Sequence, residues 1–79
     1  MMEYDVLKKA IEKTLQVYNT EITPDATFET ALGADSIDMA QIFKLVEEEL
    51  DITIPIGEWA GVSTVQDAYE LICRVMRNE

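Results

Sequence analysis

The sequence contains no histidine and only one cysteine, Cys73. Without imidazole, neither a Ser-His nor a Cys-His nucleophilic pair can be assembled, and the commonest metal ligand is missing. A lone cysteine excludes an internal disulfide and a zinc cluster. Glycine and proline are scarce, at three and two residues, which favours long uninterrupted helices over strands and tight turns. No apolar run approaches the length of a membrane span. The opening Met1-Met2-Glu3-Tyr4-Asp5 lacks the basic and apolar pattern of a secretory leader, so a soluble cytoplasmic protein is expected. Bases are few as well.

Acids dominate what is present. Sixteen Asp and Glu against six Lys and Arg give a formal charge of −10. Nucleic acid and anionic membrane surfaces would repel such a chain, and membrane insertion is not expected. Basic patches on partner proteins would attract it. The same charge also serves plain solubility, and composition is compatible with both readings. Lys8, Lys9 and Lys13 lie near the start, Arg74 and Arg77 near the end, and Lys44 is the only base between Thr14 and Cys73. The middle of the chain is therefore its acidic surface. An apolar fraction of 48% argues for a folded domain rather than disorder. Seventy-nine residues make one domain, residues 1–79, expected as a monomer and near the lower size limit for a self-sufficient core. So small a domain has little volume for a catalytic pocket, and the chain is not expected to be an enzyme.

Periodicity predicts helices. From Glu3 to Tyr18, the residues Leu7, Ile11, Thr14, Leu15 and Tyr18 share one helical stripe. Asn19-Thr20 and Pro24 interrupt the pattern. A long connection to Asp35 follows, with apolar anchors Ile22, Phe28 and Leu32 and room for a helical turn around Phe28 to Leu32. Loops of this length are often functional. The second helix is the clearest, with Met39, Ile42, Phe43, Val46 and Leu50 on a core face. Asp35 can cap its start, and Asp38 suits the positive end of the helix dipole. Ile52, Thr53 and Ile54 before Pro55 favour extended chain and end it. Residues 57–62 leave room for one short turn anchored by Trp59. Ser63 with Gln66, or Thr64 with Asp67, fits the capping-box spacing that opens a last helix. Val65, Ala68, Tyr69, Ile72, Val75 and Met76 would form its buried stripe. The fold class expected is all-α: three main helices and a short one, with a long loop between helices one and two.

The segment Gly33-Ala34-Asp35-Ser36-Ile37-Asp38-Met39 lies where the long loop meets the second helix. It resembles the attachment motif of acyl carrier proteins, a glycine followed by Asp-Ser-Leu at the start of helix two. Glu47-Glu48-Glu49-Leu50, Ile52-Thr53-Ile54-Pro55 and Thr64-Val65-Gln66-Asp67-Ala68 match the same family in order and spacing, so the resemblance spans nearly the whole chain. Asp-Ser-Ile alone would be a weak signal, and Ser36, Asp35, Asp38 and Gly33 each have a plainer reading as first-turn, capping and turn residues. The ordered series favours the carrier. The resemblance implies that Ser36 carries phosphopantetheine, taken covalently from coenzyme A, with Asp35 as motif residue and cap. A phosphodiester is well placed at a helix N-terminus, where free N–H groups meet the positive end of the dipole. The arm's terminal thiol would hold acyl groups as thioesters; Cys73, near a buried stripe, cannot replace it.

The implied partners are a phosphopantetheinyl transferase and acyltransferases or synthases with basic docking patches. The face they would meet is the exposed side of helix two: Ile37, Gln41, Lys44, Glu47 and Glu48. Lys44 and Gln41 depart from the acidic or apolar residues usual there. The implied function is acyl transport for fatty-acid, polyketide or non-ribosomal peptide synthesis or D-alanyl transfer. The alternative is an acidic helical interaction domain that is never modified. No catalytic residue and no metal site is expected; the acidic run Glu47 to Glu49 with Asp51 points in diverging directions and lacks a ligand loop. The resemblance also implies a cavity for the acyl chain, here lined by Val46, Leu50, Ile54, Val62, Ala68 and Leu71. Trp59, bulky for its position, would either fill that space or point outward.

The surplus of acids has a consequence for stability. Moderate salt or divalent cations should raise the melting temperature by screening the self-repulsion. A melting temperature independent of ionic strength, followed by circular dichroism, would show that repulsion to be negligible.

Overall fold

The computed structural model describes residues 2–78; Met1 and Glu79, the ends of the expected domain, lie outside them. Helix α1 spans Met2–Leu15, with Leu7, Ala10 and Ile11 buried at helical spacing. Glu3 and Asp5 in its first turn and Lys13 in its last complement the dipole. The helix ends earlier than the expected Tyr18. Gln16 adopts a left-handed φ of 55°, and Tyr18 is extended and 79% exposed rather than part of the buried stripe. β-branched Val17 and aromatic Tyr18 are poor helix formers, and little holds the stripe together once Gln16 turns. Lys8 fastens the next segment: its ammonium donates to the Asn19 side chain at 3.1 Å and lies over the Tyr4 ring.

A single 3₁₀ turn, Asn19–Glu21, opens the long loop. Its three expected anchors, Ile22, Phe28 and Leu32, are all buried, joined by Ala26 and Ala34. The loop is also fixed by its backbone. The Phe28 N–H donates to the Ser63 carbonyl at 3.0 Å, Val65 N–H to Ala26 at 3.0 Å, and Gln66 N–H to Pro24 at 2.9 Å. Thr27 and Thr64 form an isolated antiparallel bridge within this set. The turn expected near Phe28 exists as a hydrogen-bonded loop, in which the Ala31 and Leu32 amides both donate to the Thr27 carbonyl, without becoming a helix.

Helix α2 spans Ser36–Leu50, α3 spans Ile56–Trp59 and α4 spans Val65–Asn78. The all-α class with three long helices and one short one is as expected. Ile42, Phe43 and Val46 are buried on α2. On α4, Val65, Ala68, Leu71 and Ile72 are buried, while Tyr69, Val75 and Met76 pack half-buried against the core. Tyr4 and Tyr69 meet edge to face at 5.4 Å and link α1 with α4. Every buried residue among those described is apolar. No helix among them is long and apolar enough to cross a membrane.

Of the two capping boxes open to α4, Thr64 with Asp67 forms. Asp67 N–H donates to the Thr64 hydroxyl at 3.1 Å, and the Asp67 carboxylate accepts both the Thr64 and the Ser63 amides at 3.0 Å. Those amides, Thr64 first and Ser63 next, hold the Asp67 carboxyl below its ordinary value. A depressed carboxyl stabilises the fold above its unfolded pKa, roughly 4; that contribution is lost as pH falls through the lower folded value. Asp67→Asn should therefore melt below the wild type at neutral pH, with the gap closing as the pH falls below roughly 4. A gap constant across that range in thermal melts would show that the carboxylate charge plays no part.

Candidate functional site

The chain reaches α2 through Gly33, whose φ of 71° lies in the left-handed region that costs other residues energy. Buried Ala34 then donates its N–H to the Phe28 carbonyl at 2.8 Å, which fixes the entry point of the helix on the stapled loop. Asp35 is the N-cap in extended geometry. Its carboxylate accepts the Asp38 N–H at 2.9 Å, and the Asp38 carboxylate accepts the Asp35 N–H at 3.2 Å. Asp35 thus caps as expected, and Asp38 closes a reciprocal capping box as well as facing the dipole.

Ser36 is the first residue of α2 and its side chain is exposed. Among the described residues, the Ser36 hydroxyl and the Ser36 and Ile37 amides have no hydrogen-bond partner. These amides are the free donors of a helix N-terminus, suited to the oxygens of a phosphate. The two flanking carboxylates would oppose such an anion if they faced it. Each is instead engaged on a backbone amide of the capping box. A phosphodiester on this hydroxyl fits the donor set.

Below Ser36, Ile37, Gln41, Lys44 and Glu48 are exposed at alternating four- and three-residue spacing, one stripe of α2, with Ile37 78% exposed. Glu47 does not belong to that stripe. It is half-buried, and its carboxylate accepts the Ile54 N–H at 2.6 Å while its carbonyl accepts the Ile52 N–H at 3.1 Å. Asp51, at a left-handed φ of 55°, turns the chain so that these amides reach back. Helical periodicity cannot mark this role, because it depends on an unpaired amide beyond the helix end. No group of three or more acids among the described residues is placed to hold a metal ion. An exposed apolar residue escaped the sequence reading: Ile56, at the start of α3, is 76% exposed. Pro55 drew attention as a terminator, and no periodicity covers so short a helix.

Trp59 points inward. Its ring stacks on Phe43 with centroids 4.9 Å apart and planes 21° from parallel. Its indole N–H is buried without a partner, an arrangement that typically costs about 1–3 kcal/mol. The residues expected to line an acyl cavity all belong to one apolar cluster, Leu71 among its buried members and Leu50 and Val62 packed against it. Val46, Ile54 and Ala68 are packed into the core. Leu50 lines a groove of about 800 Å³ with Val6 and Ala10 of α1. Val62 and Leu71 line a groove of about 320 Å³ between α3 and α4. Cys73 is half-buried on α4 and hydrogen-bonded with Tyr69, a contact that, with burial, raises the Tyr69 hydroxyl above its usual pKa.

Residues 5–72 match the family model described as the phosphopantetheine attachment site. The acyl carrier proteins of Clostridium perfringens strains SM101 and 13, both type A, are each 42% identical over 69 residues, covering 87% of this chain and 91% of theirs. The chain belongs to the acyl carrier protein family. Its cofactor is accordingly phosphopantetheine, as the resemblance implied. Members of this family act as carriers that interact with synthases and transferases.

The carrier's α2 is held at both ends by carboxylates on backbone amides, and each should be separately measurable. Asp35→Ala is expected to cost about 1 kcal/mol of stability, and Glu47→Ala on the order of 1 kcal/mol through the stranded Ile54 amide. Urea unfolding checks both; a Glu47→Ala protein as stable as wild type would deny the clasp any role.

Proposed function

We propose that Ser36 takes the phosphopantetheine arm and that the loaded chain carries acyl intermediates as thioesters for fatty-acid synthesis or a related polyketide, peptide or D-alanyl pathway, without catalysing a step. The observation that carries this reading is the exposed, unpartnered Ser36 hydroxyl at the N-terminus of α2, beside the free Ser36 and Ile37 amides. In the loading reaction the Ser36 oxygen attacks the phosphorus of coenzyme A that bears the pantetheine. The new P–O bond forms as the bond to the adenosine bisphosphate leaving group breaks, and the hydroxyl proton passes to a base on the transferase. The free amides then stabilise the phosphodiester charge. Once attached, the arm supplies the thiol on which acyl groups are held.

Transferases and synthases would dock on the stripe of Ile37, Gln41, Lys44 and Glu48. Exposed Ile37 offers an apolar anchor beside Ser36, and Glu48 with its exposed neighbour Glu49 offers charge to a basic patch. The reading includes a monomeric cytoplasmic protein of one domain; the shared apolar core supports the single domain. Incubation with coenzyme A, Mg²⁺ and a phosphopantetheinyl transferase should add the arm's mass to the wild type. Ser36→Ala should block the gain while leaving stability within about 0.5 kcal/mol, as for exposed substitutions. A wild-type chain that never gains the mass would point to the unmodified acidic interaction domain. A Ser36→Ala chain that still gains it would move the attachment elsewhere.

A further inference from the structure

A buried indole N–H without a partner is a poor way to fill a core. Phenylalanine or leucine would supply the apolar surface without stranding a donor. Trp59 nevertheless lies with its ring against fully buried Phe43 and its Nε1–H shielded from solvent and unpaired. Phe43 is seven residues beyond Ser36 on α2, about 10 Å along the helix axis. The donor therefore lies within reach of whatever is tethered to Ser36. The element that carries it is lightly held: α3 is four residues long, and its cap Pro55 makes no side-chain capping bond. Among the described residues, its side-chain polar tie to the rest of the fold is the exposed Glu58–Arg74 ion pair at 3.0 Å.

We propose that Trp59 is a specificity-determining residue: its indole occupies the space beside Phe43, and its free N–H selects a short acyl group bearing a hydrogen-bond acceptor over a long alkyl chain. The inference rests on the carrier reading with Ser36 as the attachment residue. A β-oxo or β-hydroxy acyl group offers an oxygen to the stranded N–H. A plain alkyl chain offers none and would have to displace the ring from Phe43.

The chain contains one tryptophan, so its indole N–H gives a single resonance and reports on this position alone. The holo protein would be charged with butanoyl, 3-oxobutanoyl and hexadecanoyl groups, loading being verified by mass. Loading failure would sink the carrier reading, whereas the comparison among loaded forms tests Trp59. The 3-oxobutanoyl form should move the indole resonance away from its position in the holo and butanoyl forms. Its melting temperature should exceed that of the butanoyl form by on the order of 5 °C, the shift one added hydrogen bond gives a domain of this size. Hexadecanoyl should stabilise no more than butanoyl. Trp59→Phe, which keeps an aromatic side chain and removes the donor, should erase the difference between 3-oxobutanoyl and butanoyl. An indole resonance indifferent to the β-oxygen, or moved equally by the bare arm, would overturn the proposal, as would a wild-type melting temperature that climbs steadily to hexadecanoyl.

Discussion

The fold depends on the backbone bonds that join the long loop to the start of α4. A segment of 20 residues, 16–35, lies between two helices, and few of its side chains reach the core. Ordering it costs chain entropy that five buried apolar residues offset only in part. The donations from Phe28, Val65 and Gln66 across to residues 63, 26 and 24 give the loop partners. They also settle where α2 begins, since Ala34 hangs from Phe28 and Asp35 caps from there. Ser36, the proposed attachment residue, is thus placed by contacts far along the chain from it.

The acids of this chain also hold its backbone. Asp35, Asp38, Glu47 and Asp67 each accept a backbone N–H. An ionised acceptor makes the stronger kind of hydrogen bond, and three of these carboxylates lie at helix N-termini where the dipole favours them. These acids are therefore structural, although in composition they are indistinguishable from solvated ones. Their charge still counts toward the −10 that a partner meets.

What was legible in the sequence follows the range of the forces involved. Helices α2 and α4 could be read because burial repeats along them, and the Asp35 cap because its partner is three residues away. The end of α1 was misplaced because Leu15 and Tyr18 continue the period while the left-handed Gln16 breaks the backbone. Glu47 was read as solvated because its partner, Ile54, lies seven residues on, beyond the reach of helical spacing. Trp59 could not be oriented at all: whether a residue of a four-residue helix faces inward is settled by Phe43, sixteen positions earlier in the chain.

The exposed stripe of α2 shows how such structural duties shape recognition. With Glu47 turned toward Ile54, the residues left facing solvent run from apolar Ile37 through neutral Gln41 and basic Lys44 to acidic Glu48. The charge changes sign between Lys44 and Glu48, one helical turn or about 6 Å apart along the axis, which is less than a Debye length at physiological salt. A uniformly basic partner surface would be attracted at one end of this stripe and opposed at Lys44. On the proposed docking face, a like charge set against Lys44 would cost more than a missing contact, so a partner that docks there would need a neutral or acidic group opposite it.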